Sequence, residues 1–494
     1  MDIGFFGAAR TVTGSKYRLR TDYGTLLVDF GMFQGSSHPR HQNRADFPSR
    51  PRDIDYVLLT HAHIDHSGLL PRLIAAGFDG PIVTTDATRD LCEIMLADSA
   101  HIQEEDQKWD MREWQEEGRV GPPPEPLYTT EDVAPTLDLF HSVEYNEVVE
   151  LNEGLRVRFR DAGHILGSAS IELWIGTGDD ETKLVFSGDI GGYNRPILRD
   201  PQEIEEADYL IMEATYGNRI HPPMSDHLAD FERVITTVLE RGGHLVIPAF
   251  AVGRTQEVLY DLNLLLQDGK LPQVPVYLDS PLAIKATEIL RDHEEVFDRE
   301  ALSLLESGNR PTDFPGLQFT RTVDESKEIN VTEGPFIVIS ASGMCTAGRV
   351  RHHLKRDLPN PNNAVMLVGY QAAGTLGRIL QDGVERVKLF GEWLPVNADI
   401  HTMSGFSAHA DMRQMLKWMS SIEGLKGVFV THGEEDAALD FAGTIHRRFG
   451  LDVCVPQVDQ IVDLSSSPIT HCRSETDAGD YNAPSDAEQT LRQY

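Results

Sequence analysis

Short apolar runs that end in a glycine or a polar group mark the first part of the chain. "DIGFFGAA", "GSKYRLRT" and "GTLLVDFGMFQG" read as strands joined by turns, and Val57, Leu58 and Leu59 read as a further buried strand. "LLPRLIAAG" and the more polar "RDLCEIMLADSAHIQEEDQKWDMREWQEEG" carry a helical period, the second with Gly118 as its stop. "GPPPEP" then breaks the pattern, and strands resume with "RVRFRDAGHILGSASIELWI" and "TKLVFSGDIG". Strand pairs followed by helices predict a layered α/β domain.

From about residue 213 the pattern changes. "GGHLVIPAFAVGRTQEVLYDL", "GPFIVISASGMCTAGRVRHHL" and "AVMLVGYQAAGTLGRIL" share one plan, an apolar strand, a small-residue turn and a Gly-Arg pair opening a helix. Strands alternating with helices predict a parallel α/β sheet. The helix that opens this region places Phe231, Val234, Ile235, Val238 and Leu239 on one face, with Gly242 as its cap. After residue 395 the chain returns to its earlier style with "ADIHTMSGFSAHAD" and "KGVFVTHGEED". The tail from about 465 is rich in Ser, Asp and Ala, lacks an apolar period and is expected to be disordered.

Composition narrows the function classes. The 494 residues suffice for two to four domains. No apolar run approaches the roughly 20 residues needed to span a bilayer. The first residues show no basic segment followed by an apolar stretch, so no membrane and no secretory route is expected. Cys92, Cys345, Cys454 and Cys472 form no C-x-x-C pair, which points to a reducing cytoplasm and away from a structural thiolate zinc site. The formal net charge is −34. That value argues against non-specific nucleic-acid binding, or it reflects a high-salt cytoplasm, where screening shortens the field to about 3 Å at 1 M salt. A polyanionic substrate would need a local basic patch.

Candidate chemistry concentrates in "THAHIDH", where His61, His63, Asp65 and His66 fall together on a loop leaving a strand. Neutral imidazole and carboxylate suit Zn²⁺ or a similar divalent ion, whereas a chance cluster needs no partners elsewhere. Three later apolar runs end in such partners: "DAGHILGSAS" in His164, "LVFSGDIGG" in Asp189 and "GVFVTHGEED" in His432. Each alone is weak, because Gly-Asp turns are common and a buried histidine is often simply paired.

Taken in order, and with Asp29 before "FGMFQG", these motifs resemble the metallo-β-lactamase fold, an αββα sandwich. Glu213 in "LIMEATYGNR", His409 in "GFSAHAD", "GAARTVTGSKYRL" and "SASGMCTAGR" resemble its β-CASP branch, which carries an inserted parallel α/β domain and includes RNA-processing ribonucleases. The resemblance covers about residues 1–464. It implies that 1–212 and 396–464 are two parts of the metallo-β-lactamase domain, that 213–395 is the inserted β-CASP domain and that 465–494 is a tail. It also implies two zinc ions per chain, one on His61, His63 and His164, the other on Asp65, His66 and His432. Asp189 would bridge them, with Asp29 behind the histidine loop. Asp65, Glu213 and His409 are the implied catalytic residues, His409 as general acid for the leaving oxygen and Glu213 as its partner.

The implied activity is zinc-dependent hydrolysis of RNA phosphodiester bonds, endonucleolytic with exonucleolytic cleavage open, on single-stranded RNA in the cytoplasm, by a monomer or a homodimer. The three Gly-Arg turns set Arg254, Arg349 and Arg378, with Ser342, near helix starts, where open N–H groups receive phosphate. "GRVRHHLKR" adds a basic patch. Surface arginines on first turns and a solvated charge run are the plain alternatives. A DNA-directed nuclease, a thioesterase- or lactonase-type hydrolase and a catalytically dead RNA-binding subunit also stay open. The last should have lost ligands, and all seven are present here.

Overall fold

Met1–Tyr193, Asp200–Ile220 and His409–Tyr494 form one unit of the chain, and Asn194–Arg199 with His221–Ala408 form a second. The structure, a computed structural model, describes residues 1–35, 39–117, 123–221, 227–372, 374–403 and 408–464. Gly118 and the tail from 465 lie outside the described residues.

The first unit holds two seven-stranded sheets among the described residues. One runs Gln460–Asp463, Asp2–Phe5, Tyr17–Thr21, Gly24–Val28, Tyr56–Leu58, Ile82–Thr85, Phe140–Val143, antiparallel as far as Gly24–Val28 and parallel beyond. The other runs Val453–Cys454, Gly427–Thr431, Tyr209–Glu213, Thr182–Phe186, Ala169–Ile175, Leu155–Asp161, Val148–Asn152, parallel through the first four and antiparallel after them. Ile3, Phe5, Leu19 and Leu26 from one sheet share a single core with Phe159, Ile171, Phe186 and Phe429 from the other.

Side-chain alternation sorts the faces. In Leu155–Asp161 the apolar Leu155, Val157 and Phe159 enter the shared core, while Arg156 lies exposed on the opposite face. Tyr209–Glu213 is buried on both faces. Tyr209 and Ile211 join the inner core, and Leu210 and Met212 pack outward on Met415, Trp418, Phe441 and Ile445 of the helices Met412–Met419 and Glu435–Phe449. A continuous apolar run is what a parallel strand covered on both faces requires. The helix Asp86–Glu116 lies on the strands Ile82–Thr85 and Phe140–Val143 of the other sheet and buries Leu91 and Leu96. The layers are those of an αββα sandwich.

The second unit is built on a six-stranded sheet, all parallel among the described residues, in the order Leu317–Phe319, Val276–Leu278, Phe336–Ser340, His244–Pro248, Ala364–Leu367, Asp399–Thr402. The three repeated sequence units supply three adjacent strands near its centre, so their Gly-Arg turns leave the same end of the sheet. The helix His227–Glu240 buries the five residues its period selects. Asp399–Thr402 is an edge strand of this sheet, so the unit runs on to Ala408, past the boundary at 395 expected from pattern. The strand is half exposed and carries no apolar run to announce it. Arg386–Leu389 and Glu392–Pro395 form a separate hairpin whose two-residue turn, Phe390–Gly391, has φ of 47° and 84°. No helix among the described residues is long and apolar enough to cross a membrane.

Candidate metal centre

The candidate ligands follow the C-terminal ends of strands from both sheets of the first unit. The strand Tyr56–Leu58 leads through Leu59 and Thr60 into His61 and His63, and a short helix, Ile64–Ser67, then sets Asp65 and His66 on its first turn. Asp189 follows Thr182–Phe186, Glu213 ends Tyr209–Glu213, and His432 follows Gly427–Thr431 with a φ of 47°. His164 follows Leu155–Asp161 in a loop where its N–H donates to Ser168 Oγ.

The ligand atoms converge in two groups. His61, His63, His164 and Asp189 form one, Asp65, His66 and His432 form the other, and Glu213 also gathers with Asp189 and His432; within each set the atoms lie within 4.8 Å of one another. His63 Nδ1 is 3.1 Å from His61 Nε2 and 3.2 Å from His164 Nε2. His66 Nε2 and His432 Nε2 are 3.1 Å apart. Asp189 faces both groups. Its Oδ2 is 3.5 Å from the Nε2 atoms of His61 and His164, and its Oδ1 is 3.3 Å from His66 Nε2.

Hydrogen bonds around the rings fix the tautomers. Thr60 Oγ1 donates to Asp29 Oδ2, so it can only accept from His61 Nδ1, 3.0 Å away. Asp29 Oδ2 likewise accepts from His66 Nδ1 at 2.7 Å. Thr215 Oγ1 donates to the His432 carbonyl and accepts from its Nδ1. In His61 and His432 Nε2 is left with its lone pair, whereas burial at His66 is outweighed by Asp189 and Asp29, which hold its pKa well above the ordinary histidine value, so its Nε2 faces Asp189 as a donor; all three Nε2 atoms point inward. Burial first of all keeps His61, His63 and His164 below the ordinary histidine pKa, His63 at about 4, so these rings are neutral at pH 7. Ring nitrogens gathered this closely around the Asp189 carboxylate form a pocket of donor atoms suited to a cation. The donor set, imidazole nitrogen with carboxylate oxygen, fits zinc.

Residues without ligand character hold this loop. Asp29 Oδ1 accepts the Thr60 N–H at 2.8 Å. The Asp65 carbonyl accepts from Ser15 N, and the His66 carbonyl from Phe30 N. A Cβ on Gly31 would lie 1.6 Å from the Asp65 carbonyl oxygen, which explains the glycine in "FGMFQG". Thr60, Thr215 and Ser15 were missed by sequence reasoning; a hydroxyl residue directly before "HAH" was the available signal for Thr60.

His409 stands beside the centre. Its Nδ1 is 3.4 Å from Glu213 and 3.9 Å from Asp189 Oδ2. Burial lowers its pKa, but the Glu213 carboxylate outweighs burial and holds it up at about 9. Glu213 is itself fixed by the Ile190 and Thr215 N–H groups.

The expected phosphate contacts lie in the second unit, with their side chains engaged internally. Arg254 opens the helix Arg254–Gln267 and pairs with Glu257 on its first turn. Arg349 donates to Asp279 Oδ1 and to the carbonyls of Thr320 and Arg321. Arg378 pairs with Asp382 one turn on, and Ser342 Oγ accepts from Thr346 N. The "GRVRHHLKR" run also divides: His353 is buried against Asp279 and Arg356 pairs with Asp357, leaving Arg351, His352 and Lys355 outward.

Asp279 gathers four partners, Thr320 Oγ1, Ser326 Oγ, Arg349 and His353, at 2.6–2.7 Å. Burial raises its pKa, but these bonds, His353 first, hold it far below the carboxylate range. A depressed folded pKa means that the stabilisation is present above the unfolded pKa of about 3.9 and is lost as pH falls below it. Asp279→Ala should therefore cost about 3 kcal/mol at pH 7 by stranding its partners. Urea unfolding at pH 7 and pH 3 checks this, with the gap to the unaltered protein narrowing in acid. A gap independent of pH would rule out the ionised carboxylate as its source.

Comparison with known proteins gives three adjoining family matches: the metallo-beta-lactamase superfamily over residues 12–233, the Beta-Casp domain over 255–380 and the Zn-dependent metallo-hydrolase RNA specificity domain over 393–456. Ribonuclease TTHA0252 of Thermus thermophilus is 37% identical over 434 residues, which cover 88% of this chain and 93% of the relative. An RNase J-like protein of Methanocaldococcus jannaschii is 31% identical, covering 92% and 97%. The transcription termination factor FttA of Pyrococcus abyssi is 33% identical, covering 91% and 69%. A protein of unknown function from Enterococcus faecalis V583 shares the fold, with a TM-score of 0.52 at 12% identity over 93% of this chain and 99% of that one.

Proposed function

Because this chain belongs to the metallo-β-lactamase superfamily and to its β-CASP branch, we propose that it is a zinc-dependent ribonuclease holding two zinc ions. His61, His63 and His164 would hold one, Asp65, His66 and His432 the other, and Asp189 both. The observation that carries the reading is that the two oxygens of Asp189 face two separate sets of inward-pointing ring nitrogens. Bound there, divalent zinc would supply Lewis-acid polarisation of a phosphoryl oxygen and make hydroxide accessible near neutral pH.

The chain's own residues do the rest. Asp29 and Thr60 hold His61 and His66 in the ligand tautomer, so metal entry needs no ring flip. Glu213 keeps a proton on His409, and an imidazolium beside the centre can deliver that proton to the 3′ or 5′ oxygen leaving a phosphodiester. A thioester or an activated lactone has a good leaving group and needs no such acid, so a charged His409 favours the phosphodiester.

The test is cleavage of RNA labelled at its 5′ or its 3′ end by zinc-loaded protein. The pattern of labelled fragments also separates internal cuts from stepwise trimming. Intact RNA together with rapid thioester or lactone hydrolysis would overturn the ribonuclease assignment. Cleavage of DNA at an equal rate would widen the substrate class to both nucleic acids.

A further inference from the structure

The hairpin turn Phe390–Gly391 has positive φ at both positions, the combination of a type I′ turn, whose first position favours Asn, Asp or Gly. Here that position carries a phenylalanine, a bulky side chain in a conformation that costs such residues free energy. The ring is not hidden in a core in return. Phe390 is 45% exposed. It stacks on His352, with ring centres 4.6 Å apart and planes at 27°, and the Arg351 guanidinium lies 4.8 Å from its centre. The hairpin is thereby joined to the helix Val350–Asp357 by an aromatic and cationic cluster.

The open face of the hairpin continues the theme. Lys388 and Trp393 are cross-strand partners, both exposed, Trp393 to 60%, and Arg386 follows on the same face. Lys355 pairs with Glu392 beside them, and Glu385 is the neighbouring acid. On a chain of net charge −34, four Lys or Arg side chains with two exposed rings form an unusual local surface. Arg386, Lys388 and Phe390 lie between the matched family segments, which end at 380 and resume at 393, while Arg351, His352, Lys355 and Trp393 lie within them.

We propose that this surface, formed by the hairpin Arg386–Pro395 and the outward side of the helix Val350–Asp357, binds single-stranded RNA by base stacking and phosphate contact. Bases stack on exposed aromatic rings without sequence preference, and interleaved cations track the backbone. The charge excludes most other partners: an acidic chain keeps its own copies apart, while a basic aromatic patch on it attracts a polyanion with unpaired bases. The proposal rests on the ribonuclease reading and extends it to a surface that holds the substrate.

Phe390→Asn provides a decisive variant, because it removes the ring and supplies the residue the turn prefers. Together with Trp393→Ala it should weaken binding of a fluorescein-labelled 20-mer oligouridylate by about 10- to 100-fold. Binding is measured by anisotropy in EDTA, so that no cleavage occurs. The Phe390→Asn single variant should melt at the same or a higher temperature than the unaltered protein while binding less tightly, an outcome that lost folding cannot produce. Unchanged 20-mer affinity overturns the proposal and leaves the ribonuclease reading intact. So does a change confined to oligomeric state, which would make the patch a contact between copies. If the unaltered protein neither binds nor cuts RNA, the ribonuclease reading fails and the surface with it.

Discussion

Asp189→Asn should leave a folded protein that holds little zinc and shows no RNA cleavage above background. Asp189 is the only carboxylate among the described residues whose two oxygens approach both ligand groups, at 3.3 to 3.5 Å. The amide keeps the shape but replaces one anionic oxygen by a donor that faces ring lone pairs. The loss should exceed the 10²–10⁴-fold range typical of a missing general acid. His63→Ala should act on one group first, giving a protein with about half the metal. Elemental analysis beside an end-labelled RNA assay reads both effects. Full zinc content in Asp189→Asn would remove that residue from the centre.

His409→Ala should behave differently. Zinc content and RNA affinity should be retained, while RNA cleavage falls by roughly 10²–10⁴. A nitrophenyl phosphodiester, whose leaving group needs little protonation, should lose far less. The reason is positional: His409 Nδ1 points to Glu213 and lies 3.9 Å from Asp189, outside both ligand groups. Glu213→Gln should fall between, since it removes the charge that holds the His409 proton but leaves the ring in place. Equal loss on both substrates would assign His409 to the metal rather than to the leaving group.

Much of the centre was legible in sequence because its residues end apolar runs. A polar side chain after a buried strand emerges at the sheet edge, and neighbouring parallel strands emerge at the same edge, so Asp189, Glu213 and His432 meet although they are far apart in the chain, and His61 joins them from a strand of the facing sheet. The arginines were less legible for a related reason. A helix start fixes where Cα lies, not where a long side chain ends. Arg349 reaches Asp279 on another strand end, and nothing in "TAGRVRHH" names that partner. The edge strand Asp399–Thr402 was missed because an edge strand needs no apolar alternation. Thr60 and Thr215 fix tautomers through hydroxyls, and hydroxyls are too common in turns to be noticed alone.

The strand Tyr209–Glu213 pairs in parallel with Gly427–Thr431, so Glu213 and Thr431 are register neighbours. During translation, at about 5–20 residues per second, the second strand emerges on the order of 10–45 s after the first. Until then the nascent chain lacks His432, and until residue 409 is made it lacks His409, while His61, His63, His66 and His164 have already been made. We expect it to be inert toward the messenger RNA being read beside it, since the proposed acid and the last of the proposed ligands are made after all the other proposed ligands. Ribosome-bound chains arrested before residue 409 should leave an added RNA intact, and chains extended past residue 464 by a linker should cut it. Cleavage by the shorter chains would show that the order of synthesis offers the message no protection.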